Sequence, residues 1–332
     1  MRISLITPSF QQGGHIEECI ASVHVGQGVN VEHIVVDGGS TDATVDIIRR
    51  NAGRIAWWCS EADRGQSHAI NKGLAHATGE VFGWLNSDDL LLPGALGHVA
   101  AAFERDPALV VYGGRRLVRS PTREDITAPL DDANDPTRLF VAPEVNQQST
   151  FYRMDVVRAA GGVEEALHHV MDLELWWRIL LMNGTDHVRF EPLDLAVFKL
   201  HAANKTSLSG TAFRDETAAV LRGMAHQLGQ HDLVSVLDVG HVPVHALRPM
   251  PITAQHIPLV RNMVVHFLLK WHHRIHSESQ FDMMRRFLRT VDPSAFTLGA
   301  EQQTRLADVR KELAVPGWLA FRLRRKLRHW KG

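Results

Sequence analysis

The chain has 332 residues, with 36 Lys and Arg against 37 Asp and Glu and a formal net charge of −1. That balance excludes a global field that would gather nucleic acid or acidic substrates, and an apolar fraction of 45% is ordinary for a globular chain of one large or two smaller domains. The two cysteines, Cys19 and Cys59, form no C-x-x-C pair, so neither a disulfide framework nor a cysteine-rich zinc site is expected and a reducing compartment fits.

Ile3 to Thr7 predicts a strand closed by Pro8, and Ile16, Cys19, Ile20 and Val23 then repeat at helical spacing. Val31 to Asp37 is a second strand ended by Gly38-Gly39, and Ser40 or Thr41 is placed to cap a helix carrying Val45, Ile47 and Ile48. Ile55 to Cys59 is a third strand, Gly65 to Ala77 a helix, Val81 to Leu85 a fourth strand. Pro93 precedes a helix through Phe103, and Leu109 to Tyr112 is a fifth strand. Residues 116–145 are polar and read as a loop between two halves. Gln148 to Tyr152 is strand-like, Asp172 to Met182 a helix, and Leu195 to Leu200 a strand. From about Ala212 the pattern is helical. No charged stretch leads into a long apolar segment at the start, and no run reaches the roughly 18 apolar residues of a spanning helix, so a cytoplasmic protein is expected.

Strands alternating with helices predict βαβ units, a mostly parallel sheet, and strand ends gathered on one edge. Pro8-Ser9, Asp37, Glu61 to Arg64 and Asp88-Asp89 all fall at that edge, where open α/β sheets bind ligands. The doublet Asp88-Asp89 ends an apolar run, and two hard oxygen donors suit Mg²⁺ or Mn²⁺ better than zinc. Neither G-x-G-x-x-G nor G-x-x-x-x-G-K-S/T is present, so a phosphate would be handled by metal and basic side chains rather than a glycine cradle. Twenty scattered histidines contain no H-E-x-x-H.

Five ordered blocks resemble family 2 glycosyltransferases of the GT-A fold: Ile6-Thr7-Pro8-Ser9-Phe10, Ile34 to Asp42, Ser60 to Gln66, Ala69 to Gly73, and Asn86-Ser87-Asp88-Asp89. The likeness continues more thinly through Gln148-Ser149-Thr150, Met171 to Trp176 and His201 to Ser207; Phe10 and Gln11 stand where the family more often has Tyr and Asn. The resemblance implies a GT-A-like domain over residues 1–210, with a nucleotide-sugar half at 1–115 and an acceptor half at 146–210, followed by a helical region at 211–332. It implies that Thr7, Pro8 and Asp37 hold nucleobase and ribose, that Asp63 and Arg64 contact the donor, and that Lys205 approaches the diphosphate. Asn71 and Lys72 read as mainly structural. Asp89 is expected as the direct ligand of a divalent metal, Mn²⁺ or Mg²⁺, with Asp88 toward ribose or the metal's hydration shell and His201 completing the set. Asp172, at a helix start, is expected as the base that deprotonates the acceptor hydroxyl. Gln148, Glu174 and Trp176 are placed on the acceptor side, although Glu174 also stands four residues before Arg178, the spacing of a helical ion pair. The implied reaction is inverting transfer from a nucleotide-diphosphate sugar to a glycan or lipid-linked acceptor in surface polysaccharide assembly.

Trp318 to Lys331 carries six basic residues and no acidic one, with Leu319, Leu323 and Leu327 at four-residue spacing. That pattern suits an anionic membrane surface, or equally a helix packed on its domain with a solvated basic face. Two rival functions are a sugar-phosphate nucleotidyltransferase, which would prefer a Gly- and Lys-rich loop after the first strand, and a non-catalytic sugar-nucleotide-binding protein, for which Asp172 would be dispensable.

Overall fold

The computed structural model describes residues 1–120, 122–201, 210–238, 247–272, 275, 277–295 and 299–329. It divides into two compact units, one of Met1–Leu139 with Pro143–Gly210, the other of Phe140–Ala142 with Thr211–Gly332.

The first unit is built on one sheet. Strands β1 (Arg2–Ser9), β2 (Asn30–Asp37), β3 (Trp57–Ser60) and β4 (Val81–Trp84) form a parallel half in the order β3-β2-β1-β4. Strands β1, β2 and β4 are buried almost throughout, with Ser4, Thr7, Glu32 and His33 among their apolar residues. Helices α1 (Ile16–His24), α2 (Thr44–Arg50) and α3 (Gln66–His76) connect them. Gly73 lets α3 lie close on β1, since a Cβ there would stand 2.7 Å from Ile6 Cγ2. Asn71 donates to Val163 O at 2.8 Å and Lys72 pairs with Glu61 at 2.8 Å, so both serve the scaffold.

Beyond β4 the sheet is mixed. The two-residue β5 (Leu90–Leu91) is followed by α4 (Ala95–Arg105), β6 (Val111–Ser120), β7 (Arg123–Thr127), α5 (Pro136–Val141), β8 (Thr150–Arg153), α6 (Met154–Ala159), α7 (Met171–Asn183) and β9 (Val188–Lys199). The order continues β4-β8-β6-β9-β5, with β7 on β6. Strand β8 is antiparallel to both β4 and β6, while β9 runs parallel to β6. Residues 116–145 are therefore not a loop: they hold the outer half of β6, β7 and α5. Their alternating polar side chains concealed strands that have one wet face. One core packs beneath β1 and β4, from Ile3, Leu5, Val81, Leu96, Phe103, Tyr112 and Phe151 among others.

The second unit is helical among its described residues: α8 (Gly210–Gln227), α9 (His231–Asp238), α10 (Ile257–Trp271), α11 (Glu278–Thr290), α12 (Ala300–Leu313) and α13 (Trp318–His329). Ser277 caps α11 by accepting from Gln280 N at 3.2 Å. Phe281 of α11 lies 5.1 Å from Phe321 of α13 between ring centroids, and both are buried. Among the described residues no helix is long and apolar enough to cross a membrane.

Candidate active site

The strand ends of the first unit build the site. At the end of β2, Asp37 is fully buried. Its Oδ2 accepts from Gly39 N, Ser40 N and Ser60 Oγ at 3.1, 2.8 and 2.7 Å, and its Oδ1 from Ser40 Oγ at 2.6 Å. Both oxygens thus help to fasten the turn after β2. Thr7 lies on the neighbouring strand β1. Its hydroxyl lies 2.9 Å from His33 Nε2 inside the core, and the buried Pro8 continues β1 beside it.

At this edge Gly38 is closely covered. A Cβ there would meet Asp63 Oδ2 at 2.9 Å and the Phe10 ring at 3.3 Å. Phe10 is 59% exposed and Asp63 half-buried, so an apolar ring and a carboxylate flank a bare backbone. Asp63 Oδ1 accepts from Gly65 N at 2.7 Å, and Gly65, at φ +114°, starts α3. Arg64 is 70% exposed and donates to Glu165 at 2.5 Å, a solvated pair of little energetic weight that a ligand can displace.

The turn after β4 carries the acidic doublet. Asp89 N donates to Asn86 O at 2.9 Å, Gln66 Nε2 to Asn86 Oδ1 at 2.7 Å, and Gln147 Nε2 to Trp84 O at 2.6 Å, which frames the turn on three sides. The two carboxylates then differ. Asp89 is fully buried; its Oδ2 accepts from Gln148 Nε2 at 2.8 Å and its Oδ1 from Lys199 N at 3.2 Å. Burial first, and the neighbouring Asp88 charge second, raise its pKa well above the usual carboxylate range. Asp88 is half-buried, with Oδ2 3.1 Å from His201 Nε2. His15, just ahead of α1, stacks on His201 at 4.8 Å between ring centroids. Burial, then the charge of Lys199, lowers the His15 pKa, which keeps that ring neutral.

The Asp88–His201 separation suits two adjacent corners of an octahedron with bonds of about 2.1 Å, whose corners lie roughly 3 Å apart. Among the described residues no cluster of three or more His, Cys, Asp or Glu could hold a metal. Two protein ligands with the rest from phosphate and water is the usual arrangement for such ions. Asp89 lies beside this pair in sequence, buried and hydrogen-bonded to Gln148 and the Lys199 amide. Lys205 lies outside the described residues.

Asp172 sits in the first turn of α7, half-buried, its Oδ1 accepting from Leu173 N at 2.9 Å. The chain joins it to the doublet through a residue that sequence reasoning missed. Arg116 Nη1 donates to Gln148 Oε1 at 3.0 Å, Gln148 holds Asp89, and the guanidinium is within electrostatic reach of both Asp89 and Asp172. Gln148 is thus central rather than peripheral. Glu174 and Trp176 are not groove walls. Glu174 is buried against Arg178, whose Nε donates to Glu174 Oε1 at 2.9 Å, and Trp176 is 1% exposed with Nε1 donating to Leu139 O at 2.7 Å. Residues 174–180 of α7 are all buried, so the helix is enclosed on every face over this stretch.

A parallel half-sheet with a mixed extension, carrying a carboxylate doublet at its carboxyl edge and a third Asp on a following helix, is the fold of the GT-A transferases. Residues 4–158 match the family model described as glycosyl transferase family 2. Over those residues the chain is similar to that family, and the relatives and structures it resembles support a glycosyltransferase. It is 23% identical over 247 residues to an uncharacterized glycosyltransferase of Rickettsia typhi, covering 72% of this chain and 76% of that one. An uncharacterized glycosyltransferase of Mycobacterium tuberculosis is 28% identical over 184 residues, 54% of this chain and 69% of its own. Among solved structures, S. aureus TarS in complex with UDP-GlcNAc superposes with a TM-score of 0.64 at 14% identity, covering 94% of this chain and 90% of that one. The mannosyltransferase PcManGT of Pyrobaculum calidifontis, in complex with GDP-Man and Mn²⁺, gives 0.50 at 17% identity, covering 94% and 86%. At such identities the structural likeness is one of fold.

Proposed function

We propose that the chain transfers a sugar, with inversion, from a nucleoside-diphosphate donor to a hydroxyl of a glycan or lipid-linked glycan. The observation that carries this reading is the Asp88–His201 pair at the sheet edge, joined through Gln148 and Arg116 to Asp172. The base and ribose of the donor lie at this edge beside the exposed Phe10 ring and Asp63, with Arg64 released from Glu165 toward the diphosphate. Asp88 and His201 would hold a divalent cation, which when bound would neutralise charge on the departing diphosphate. Asp172 accepts the proton of the acceptor hydroxyl as its oxygen attacks the anomeric carbon. The bond from that carbon to the diphosphate oxygen breaks, and the nucleoside diphosphate leaves with the electron pair.

Exposed Leu319 and Leu323, with exposed Arg322 and Arg324, give α13 an apolar and basic outer face. The face suits a peripheral contact with anionic lipid, where a lipid-linked acceptor would reside. Side chains beyond Arg324 and residues 330–332 lie outside the described residues.

The test is a melting-temperature screen with UDP and GDP, each with and without Mn²⁺, followed by a nucleotide-release assay across donor sugars. A metal-dependent rise with one nucleotide is expected; no rise with any nucleoside diphosphate overturns the reading. Asp172→Asn should bind the same nucleotide while losing about 10²–10⁴-fold in turnover. Transfer at the wild-type rate would remove Asp172 from the base role.

A further inference from the structure

We infer that Arg116 is a substrate-contacting residue of this site, taking a phosphate oxygen at the floor of the cleft between Asp89 and Asp172. The inference deepens the transferase reading and rests on it. Arg116 lies on β6 opposite Ala196 of β9. Its neighbours along β6 behave differently. Arg115 meets Asp194 at 3.0 Å, and Arg119 meets Asp125 at 3.0 Å through paired hydrogen bonds. Arg116 has no carboxylate within ion-pair distance among the described residues. Its one hydrogen bond is Nη1 to Gln148 Oε1, and Nε is enclosed and has no partner. The guanidinium stacks over Phe198, 5.2 Å from the ring centroid.

An enclosed guanidinium without a touching counter-charge is costly to keep. Phe198 and Gln148 fix the plane of the group, so the cost of ordering it is met before any ligand arrives. The nearest charges on the elements packed around it are Asp89, Asp172 and Glu144, which compensate from a distance without occupying its donors. Two of these are the site's own acids. A group so held presents unused N–H donors to an oxyanion, and phosphate is the anion that matches a guanidinium edge. Two sources offer one: the donor's diphosphate, and a phosphate carried by the acceptor.

Arg116→Gln and Arg116→Lys in the full chain separate these sources. Melting temperature with Mn²⁺ is read against UDP and uridine, GDP and guanosine, and inorganic phosphate added alone and on top of the nucleotide. If the donor supplies the oxygen, Arg116→Gln weakens the nucleoside diphosphate by about tenfold to a hundredfold, leaves the nucleoside unchanged, and the Lys variant recovers part. If the acceptor supplies it, diphosphate affinity is retained and the added protection by inorganic phosphate is lost in the Gln variant. Diphosphate and phosphate responses that both match wild type overturn the inference, as does a wild type that answers to none of the probes. A wild type protected by phosphate but by no nucleotide, with that protection lost in Arg116→Gln, would overturn the transferase reading and leave the anion site standing. A lowered melting temperature without ligand, with every ligand shift intact, marks Arg116 as structural and also overturns it.

Discussion

At the scale of single residues, Thr7, His33 and His24 form a line through the core behind the donor pocket. His33 is fully buried, with Nε2 2.9 Å from Thr7 Oγ1 and Nδ1 3.2 Å from His24 Nε2. Burial, with His24 adding, lowers the His33 pKa to about 3. The folded state therefore keeps this ring neutral while the unfolded chain protonates it near pH 6.5. Its contribution to stability is complete above about pH 6.5 and is lost as pH falls toward 3. Between pH 7 and pH 5 the loss attributable to His33 is about 2 kcal/mol. Denaturant midpoints at the two values should show it, and His33→Gln should flatten that slope; an unchanged slope would refute the assignment. None of this was legible in the sequence, because a histidine in a strand does not declare whether it faces core or solvent. The acidic doublet and Asp172 were legible, since each ends or begins an element where a carboxylate can reach a cleft. Their division of labour was not: which of Asp88 and Asp89 turns inward depends on Gln148 and the Lys199 amide, far away in the chain.

At the scale of elements, α7 shows how one helix serves both core and site. Asp172 in its first turn is half-buried, while Glu174, Trp176 and Arg178 are enclosed. The sequence had shown the Glu174–Arg178 spacing; the structure buries the pair. Glu174→Ala would strand the Arg178 charge and should cost about 3–5 kcal/mol. Adding Arg178→Met should restore most of that loss, measured by denaturant unfolding. Full loss in the double variant would mean that the pair contributes more than mutual neutralisation. The parallel strands β1 to β4 were readable because short apolar runs such as Ile34-Val35-Val36 dominate them. Strand β7 and the outer part of β6 were hidden, since they carry Arg115, Arg119 and Asp125 on solvated side chains, which read as loop. Arg116 was lost with them; two adjacent arginines between Gly113-Gly114 and Leu117-Val118 were the signal, as neighbours on a strand face opposite ways.

At the scale of the whole molecule, the helical second unit holds α13 by Phe321 while its Leu319 and Leu323 are 73% and 63% exposed. Paired apolar residues among arginines predict binding to vesicles containing anionic lipid, with each basic side chain contributing about 1 kcal/mol and salt weakening it. Leu319→Glu with Leu323→Glu leaves Phe321 in place and should abolish co-sedimentation with such vesicles. Equal pelleting of the variant, or equal pelleting with neutral vesicles, would refute the contact.

The amide of Lys199 reaches Asp89 across 110 positions of sequence. Its strand, β9, also lies between β6 and β5 in the sheet. As the nascent polypeptide leaves the ribosome, strands β1 to β4 can assemble early, yet β6 has an unfilled edge and Asp89 an unmet oxygen until β9 emerges. Within the first unit the site is therefore completed late, and a chain interrupted before β9 would offer a sticky ladder of open amides to its neighbours.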